Sequence, residues 1–304
     1  MTAAKVWLGP VEPAPVREAI EAAGGAVVPA EKANVVVWSS GSRPPAAIAE
    51  VLHEGIEWVQ LDVAGVETWI EAGLVDRERR WTGAQGVYAE SVAEHAVAFV
   101  LAGARGLPQA ARRQAWGEVR VDRLRGATVG IVGAGGIGRE TIARLAPFRV
   151  RILAQTRSGR DVPGADRSLG PGDLDELLRE SDYVVLAPPL TAETRGMIGE
   201  RELDLIGPDG WLVNVGRGGL VDTDALVRAL GEGRLRGACL DVTDPEPLPE
   251  GHPLWRLENA LVTPHVANPW LAHYDVLADR VAENVRRFVA GEELVGEIDL
   301  DRSY

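Results

Sequence analysis

The chain has 304 residues, of which 46% are hydrophobic and 25% are charged, and its formal net charge is −13. This length suffices for two ordinary domains, and no apolar run is long enough to span a bilayer. The acidic balance argues against binding to nucleic acid or to an anionic membrane, because both depend on a basic surface. The N-terminus lacks the basic and apolar parts of a signal peptide, so we expect a cytoplasmic protein.

Cysteine and histidine content argues against disulfide and metal chemistry. The single cysteine, Cys239, lies in an apolar run and is expected to be a buried hydrophobic residue rather than a reactive thiol. No cluster with the spacing of a metal site is found among the five histidines, at positions 53, 95, 252, 265 and 273. We therefore expect no bound metal.

The first part of the chain alternates between strand-like and helical patterns. Strand-like apolar runs cover residues 4–8, 34–38 and 57–61. Helical patterns at 15–23 and 45–53 each begin with prolines, which suit a first helical turn. The alternation predicts a small α/β domain with a parallel sheet.

A long alanine-rich helical pattern at 89–105 follows, and Gly106 and Pro108 end it. Its length suits a connector between two domains. Glu94 and His95 lie in this helix, where we expect an interfacial or capping pair, with catalysis as the alternative. Residues 109–126 are polar and basic with one tryptophan, and we interpret them as an arm that reaches a second subunit.

A glycine-rich turn then marks a candidate nucleotide site. Gly133, Gly135 and Gly138 form G-x-G-x-x-G between a strand at 128–132 and a helix at 137–145. The glycines allow a tight turn, close approach of a pyrophosphate and close helix packing, and the helix N-terminus offers its free N–H groups. A flexible loop is the alternative, but strand, turn and helix stand in the order that dinucleotide binding requires.

The same pattern continues to the end of the chain and predicts a second domain. A final helical pattern at 271–290 returns to the first domain. We therefore expect two Rossmann-like α/β domains: a doubly wound parallel-sheet cofactor domain (101–271) inserted into a smaller flavodoxin-like substrate domain (1–100 with 272–304), with a cleft between them. The six predicted strands of the cofactor domain are 128–132, 150–155, 183–187, 211–215, 237–242 and 261–263, and helical segments between them include 173–180 and 222–232.

The turn after the second of these strands predicts the cofactor. NAD-binding domains usually place Asp or Glu there to hold the adenosine ribose hydroxyls. Here Thr156, Arg157, Ser158 and Arg160 occupy the turn, and no carboxylate precedes Asp161. Because arginine matches phosphate in geometry and charge, we expect NADP(H) to be preferred. The alternative is a solvated basic turn with NAD(H) bound less selectively.

Three candidate catalytic residues follow later strands, where ligands bind in such folds. Arg217 is the candidate cation for a substrate carboxylate and carbonyl, and His265 is the candidate acid, since its ordinary pKa lies near neutral pH. Glu246 would orient His265 and raise its pKa. Together they suit reduction of a 2-oxo acid. Each also has an ordinary structural interpretation: an ion pair, a loop carboxylate and a satisfied histidine.

The chain resembles the D-isomer-specific 2-hydroxyacid dehydrogenase family. The matching motifs, in family order, are the glycine turn, Pro189-Leu-Thr-x-x-Thr194, Asn214-Val-Gly-Arg-Gly-Gly-Leu-Val-Asp222, Asp241-Val-x-x-x-Glu246-Pro-Leu248 and Thr263-Pro-His265. The resemblance implies an NAD(P)-dependent oxidoreductase with Arg217, Glu246 and His265 as its catalytic residues. It also implies homodimerisation through the cofactor domain. The implied cofactor contacts, besides the residues of the basic turn, are Gly133, Gly135, Gly136, Ile137, Gly138, Pro188, Val215, Gly216 and Asp241, the last near the nicotinamide amide.

The family pattern also implies that main-chain N–H groups of Val63, Ala64 and Gly65 hold the substrate carboxylate, together with Arg217 and His265. The loop at 60–66 and the basic turn are most similar to NADPH-using glyoxylate/hydroxypyruvate reductases. Two features depart from the pattern. Asp62 would place negative charge beside an anionic substrate, and Tyr88, Trp270 and Tyr274 could narrow the pocket.

Two other functions fit the same fold. A non-catalytic NAD(P)-sensing or corepressor-type protein is one, although retention of Arg217, Glu246 and His265 speaks against it. A formate or phosphite dehydrogenase is the other, but the arginine turn suits NAD less well. Fold alone does not choose between them.

Overall fold

The computed structural model of the chain describes residues 3–40, 43–113, 115–268 and 273–300. The chain divides into two compact units, Met1–Tyr88 with Pro269–Tyr304, and Ala89–Asn268. The sequence prediction placed the boundaries after residues 100 and 271 and so divided the long helix that begins at Ala89. The structure assigns this whole helix to the second unit, because it packs against strands and a helix of that unit.

The first unit is built on a five-stranded parallel sheet. Its elements are β1 (Lys5–Pro10), α1 (Ala14–Ala22), β2 (Ala26–Val27), β3 (Val35–Ser39), β4 (Trp58–Leu61), α2 (Glu67–Glu71), β5 (Arg80–Thr82) and, after the second unit, α9 (His273–Ala290). The strand order is β2-β1-β3-β4-β5, which is the flavodoxin-like order. β3 and β4 are buried along their whole length, as expected for central strands covered on both faces.

One predicted helix of this unit takes a different form. Residues 45–53 read as an α-helix in the sequence, whereas the structure has a 3₁₀ helix at Pro45–Glu50. The amide of Ala47 donates to Pro44 and that of Val51 to Ile48, which is the tighter three-residue spacing. The prolines favour a helical start, and short 3₁₀ helices of this kind are frequent as connectors between longer elements.

The second unit is built on a seven-stranded parallel sheet. Its elements are α3 (Ala89–Ala104), α4 (Leu107–Arg112), β6 (Thr128–Val132), α5 (Gly136–Leu145), β7 (Arg151–Gln155), β8 (Arg167–Leu169), α6 (Leu174–Glu180), β9 (Tyr183–Leu186), α7 (Glu200–Ile206), β10 (Trp211–Asn214), α8 (Thr223–Gly231), β11 (Gly237–Leu240) and β12 (Ala260–Val262). The strand order β12-β11-β10-β9-β6-β7-β8 is the doubly wound order, so the predicted fold class is confirmed.

Strand register brings the candidate site residues of the second unit to one edge of this sheet. Val132 pairs with Leu186, Leu186 with Asn214, Asn214 with Leu240, and Leu240 with Val262. The loops that follow these five residues therefore leave the sheet side by side. The order of the strands reverses between β6 and β9, and ligands bind at such a switch point in doubly wound sheets.

In the part of the chain that the structure describes, no helix is both long and apolar enough to cross a bilayer. Cys239 lies in β11 and is fully buried, as predicted, and burial raises the pKa of its thiol. This residue therefore has the character of a core hydrophobe.

Candidate active site

The glycine turn after β6 has the shape that a bound pyrophosphate requires. Gly133 has φ of +87°, and a Cβ there would lie 2.5 Å from the backbone nitrogen of Pro188. A Cβ on Gly138 would lie 2.7 Å from the Gly133 oxygen, so α5 packs closely on the turn. Around Gly135, by contrast, a Cβ would meet no described atom within 4 Å, and no side chain caps α5. The N–H groups of Gly136 and Ile137 at the start of this helix suit a dinucleotide phosphate.

The loops after β9 and β10 lie beside the glycine turn at the switch point. A Cβ on Gly216 would lie 3.2 Å from the Pro188 oxygen, so the loops after β9 and β10 touch. The amide of Val215 donates to the Leu186 oxygen at 3.2 Å. The predicted cofactor residues Gly133, Pro188, Val215 and Gly216 thus lie together along the carboxyl ends of three adjacent strands.

The basic turn after β7 is mostly exposed to solvent. Thr156 is half-buried, whereas Arg157, Ser158 and Arg160 are exposed. The amide of Gly159 donates to the Thr156 oxygen at 3.3 Å, and the amide of Arg160 to the Ser158 hydroxyl at 3.4 Å. These bonds give the turn a defined shape, with two guanidinium groups and two hydroxyls suited to a phosphate.

The Arg217 loop is held by the side chain of Asn214 at the end of β10. The Asn214 amide oxygen accepts the Gly216 N–H at 3.1 Å, and its Nδ2 donates to the Arg217 carbonyl at 2.9 Å. A Cβ on Gly218 would lie 1.9 Å from the Thr243 oxygen. Only glycine permits this approach, which brings the Arg217 loop against the loop that carries Glu246.

His265 and Glu246 form a direct pair. His265 Nδ1 lies 2.6 Å from Glu246 Oε1, and both side chains are about half exposed. The Glu246 hydrogen bond raises the pKa of His265, while burial and the charge of Arg217 oppose that rise. In turn, His265 lowers the pKa of Glu246. With Nδ1 bound to the carboxylate, Nε2 is the nitrogen available for proton transfer.

Asp241 is the anchor of the loop that carries His265. Asp241 as a residue is 2% exposed, and its carboxylate accepts the Thr263 hydroxyl, the Val266 N–H at 2.9 Å and the Ala267 N–H at 3.0 Å. His265 itself has φ of +52°, and its N–H donates to the Asp241 carbonyl at 2.8 Å. Asp241 therefore fixes the backbone around the histidine. Sequence reasoning placed it only at the nicotinamide and missed this role.

His95 also belongs to this group. Its Nε2 lies 3.1 Å from Thr263 Oγ1 and 3.5 Å from Asp241 Oδ1, and burial lowers its pKa. A structural pair was expected for His95 and Glu94, and the structure gives His95 a structural partner in Asp241 instead. Glu94 contacts Arg144, at 3.8 Å.

The predicted carboxylate-binding loop lies in the first unit, after β4. No described residue accepts a hydrogen bond from the N–H groups of Val63, Ala64 or Gly65, and all three residues are partly exposed. Three adjacent N–H donors of this kind suit an anion.

Asp62 does not present its carboxylate as the sequence suggested. It is 2% exposed, and its Oδ2 accepts the Ser40 N–H at 2.8 Å and the Ser40 hydroxyl at 2.9 Å. Burial raises the pKa of this carboxyl. Three aromatic residues were predicted to narrow the pocket. Tyr88 is buried, the ring of Tyr274 stands edge-on to that of His273, and Trp270 lies outside the described residues.

No group of three or more potential metal ligands occurs among the residues that the structure describes.

A doubly wound sheet with a glycine turn at its switch point, beside a histidine–glutamate pair and an arginine, has the form of a dinucleotide-dependent oxidoreductase. Residues 97–267 match the family model described as D-isomer specific 2-hydroxyacid dehydrogenase, NAD binding domain. The chain belongs to this family, and it is an NAD(P)-dependent 2-hydroxyacid oxidoreductase. The resemblance stated from the sequence is thus confirmed.

Similar proteins support the same assignment. A glyoxylate reductase of Thermofilum pendens is 38% identical over 221 residues, which cover 69% of this chain and 65% of that protein. The crystal structure of a D-isomer specific 2-hydroxyacid dehydrogenase from Xanthobacter autotrophicus Py2, in complex with NADPH and MES, has a TM-score of 0.84 and 28% identity, with both chains fully covered. An NADPH-dependent glyoxylate/hydroxypyruvate reductase from Sinorhizobium meliloti, in complex with NADP and sulfate, has a TM-score of 0.79 and 25% identity, again with full coverage.

Proposed function

We propose that this protein uses NADPH to reduce glyoxylate to glycolate, and hydroxypyruvate and related small 2-oxo acids to D-2-hydroxy acids. The observation that carries the proposal is the 2.6 Å contact of His265 with Glu246, on a loop adjoining that of Arg217. This arrangement combines a proton donor with a cation. The glyoxylate reductase of Thermofilum pendens and the reductase of Sinorhizobium meliloti support the substrate class.

Each residue then has a defined role in the reduction. NADPH, when bound at the Gly133–Gly138 turn, supplies the hydride to C2 of the 2-oxo acid. Arg217 holds the substrate carboxylate and polarises its carbonyl through charge-assisted hydrogen bonds. Protonated His265 delivers its Nε2 proton to the forming alkoxide, and Glu246 stabilises the imidazolium form before transfer. The N–H groups of the 63–65 loop provide further donors for the carboxylate.

The proposed cofactor preference rests on the turn formed by Thr156, Arg157, Ser158 and Arg160. Its two guanidinium groups favour the 2′-phosphate of NADP(H), and no carboxylate precedes Asp161 to bind the ribose hydroxyls of NAD(H). Relatives with NADPH or NADP bound support this choice. NAD(H) remains the alternative cofactor, used less efficiently.

Steady-state assays test both parts of the proposal. Oxidation of NADPH and of NADH is measured in parallel with glyoxylate, hydroxypyruvate, pyruvate and phenylpyruvate. We expect turnover with the small acids and a kcat/KM for NADPH that exceeds the value for NADH. The Arg157→Ala/Arg160→Ala variant should lose that preference through a higher KM for NADPH alone. Tight NADPH binding without turnover of any acid would instead favour the sensor function.

Arg217 gives the sharpest test of the mechanism. Arg217→Ala should lower kcat/KM for glyoxylate by at least about 100-fold, since a charge-assisted hydrogen bond contributes about 1.5–3 kcal/mol and two are expected. Arg228→Ala, at an exposed arginine of α8, is the matched control and should retain activity. An Arg217→Ala variant that keeps most of its turnover would refute the assignment.

We also propose that the protein is a cytoplasmic homodimer. Residues 115–127 form neither helix nor strand, and Trp116 in this segment is fully exposed. An exposed tryptophan on an extended arm suits a protein interface, where aromatic residues are enriched. A cytoplasmic location is consistent with the family to which the chain belongs.

A further inference from the structure

The carbonyls of Asp62 and Val63 both accept hydrogen bonds, and the peptide units to which they belong carry the first two of the N–H groups predicted to bind the substrate carboxylate. Tyr88 Oη donates to the Asp62 carbonyl at 2.6 Å. The amide of Ala84 donates to the Val63 carbonyl at 2.8 Å. Two successive peptide units are thus fixed from their carbonyl sides.

Peptide geometry converts these bonds into a direction for the N–H groups. A trans peptide is planar, and its C=O and N–H point in opposite directions. The bond from Tyr88 therefore sets the direction of the Val63 N–H, which shares a peptide unit with the Asp62 carbonyl. By the same argument, the bond from Ala84 sets the direction of the Ala64 N–H. Donation to the carbonyl also polarises the peptide and strengthens its N–H as a donor.

His273 completes the arrangement. Tyr88 Oη lies 3.0 Å from His273 Nε2, and the two rings stack with centroids 4.6 Å apart. Tyr88 has one hydroxyl proton, and the Asp62 carbonyl can only accept, so that proton belongs to the carbonyl bond. His273 Nε2 must then carry a proton and donate it to Tyr88. The result is a chain of donors from His273 through Tyr88 to the Asp62–Val63 peptide.

We propose that Tyr88, oriented by His273, is a positioning residue that aims the Val63 N–H at the substrate carboxylate. The inference rests on the proposed function of the 63–65 loop and deepens it, because it identifies what holds a specificity-determining donor in place. Tyr88 itself touches a backbone carbonyl and not the reacting atoms.

Tyr88→Phe tests this role, since it removes one hydroxyl and keeps the ring. The Kd of oxamate, an unreactive 2-oxo acid mimic, is measured by calorimetry on the enzyme loaded with NADP⁺, and kinetics are measured with glyoxylate. We expect the oxamate Kd and the glyoxylate KM to rise about tenfold, with kcat and the NADPH Kd changed less than about twofold. Tyr183→Phe, at a buried tyrosine of β9, is the matched control and should change none of these values.

The possible results distinguish the positioning role of Tyr88 from the proposed reduction of 2-oxo acids. An unchanged oxamate Kd in Tyr88→Phe, beside an active wild type, overturns the positioning role alone. A loss shared equally by kcat, NADPH binding and oxamate binding also overturns it, because it indicates a general structural effect. A wild type that neither binds oxamate nor reduces any 2-oxo acid removes the proposed function, and this inference with it.

Two variants of His273 test the hydrogen bond from His273 to Tyr88 independently. His273→Gln keeps a side-chain N–H that can donate to Tyr88, whereas His273→Leu removes it. We expect the oxamate Kd to rise about threefold in the leucine variant and to stay near the wild-type value in the glutamine variant. Equal oxamate affinity in both variants and the wild type would show that His273 does not orient Tyr88.

Discussion

At the scale of single residues, the contact between Glu246 and His265, the proposed catalytic acid, leads to a prediction about the pH range of the reaction. The Glu246 hydrogen bond raises the pKa of His265, so the protonated acid persists to higher pH than in a free histidine. The reductive kcat/KM should fall as pH rises through that pKa. In Glu246→Gln the pKa of His265 returns toward its ordinary value, and the fall should begin at lower pH. Near pH 8, we expect a loss of about 10- to 100-fold, measured as kcat/KM for glyoxylate across the pH range.

Glu250→Gln is the matched control for this prediction. Glu250 is an exposed glutamate four residues further along the same loop, so its variant should reproduce the wild-type pH profile. If Glu246→Gln shows that same profile, Glu246 does not set the pKa of the catalytic acid.

The sequence could place the individual chemical groups but not every contact among them. Arg217, Glu246 and His265 each follow a strand, and parallel strands end at one edge, so their proximity was predictable. Tyr88 and Asp62 are 26 positions apart, and Tyr88 and His273 are 185 apart. No local pattern records such a bond, because it depends on how distant segments pack.

At the scale of loops and elements, the close approach at Gly218 determines where Arg217 lies. A Cβ at this position would sit 1.9 Å from the Thr243 oxygen, a distance that no real pair of such atoms tolerates. In Gly218→Ala the two loops must separate by about an ångström, and a shift of that size can cost about 100-fold in rate. We expect kcat/KM for glyoxylate to fall by that amount while NADPH binding is retained.

The control for Gly218→Ala is Gly231→Ala, at the end of α8, where an added Cβ meets no described atom within 4 Å. This variant should keep full activity. Wild-type kinetics in Gly218→Ala would show that the Arg217 loop tolerates displacement, and the proposed positioning would be wrong.

The loop at 263–267 depends on the charge of Asp241. Asparagine has one acceptor oxygen, and its amide group would face either the Val266 N–H or the Ala267 N–H, which now donate to different carboxylate oxygens. One buried donor is then unsatisfied, at a cost of about 1–3 kcal/mol. Asp241→Asn should therefore lower Tm by several degrees in a thermal unfolding experiment. Asp244→Asn, at an exposed aspartate, is the control and should leave Tm unchanged. Equal Tm values for the two variants would show that the Asp241 carboxylate does not hold the 263–267 loop.

Elements were predictable where they carry a strong pattern. The central strands of both sheets are apolar runs bounded by turns, and their order along the chain followed from the sequence. β2, β5 and β8 were missed. Each has only two or three residues at a sheet edge, and β5 and β8 also contain charged or polar residues, unlike the equally short but wholly apolar β12. They exist because a neighbouring strand already supplies hydrogen-bond partners.

At the scale of the whole molecule, each unit has its own parallel sheet and its own set of predicted ligand-binding loops. The doubly wound sheet places the glycine turn and the Arg217, Glu246 and His265 loops along one edge. The flavodoxin-like sheet supplies the 63–65 loop after its own β4. Within each unit, the loops predicted to bind ligand thus follow the carboxyl ends of strands, which is where α/β folds bind ligands.

The arm around Trp116 leads to a prediction about assembly. Its side chain is fully exposed in a single chain, and Val121 of the same segment is 50% exposed. Large apolar side chains on an extended segment cost solubility unless another surface covers them. Light scattering should therefore give a mass twice the 32.5 kDa of one chain.

Trp116→Arg places a charge at the centre of the proposed contact and should shift the mass toward that of one chain at micromolar concentration. Val11→Arg, at an exposed valine of the first unit, should leave the mass unchanged. A wild type with the mass of one chain at all concentrations would refute the homodimer, and a dimeric Trp116→Arg variant would exclude Trp116 as its anchor.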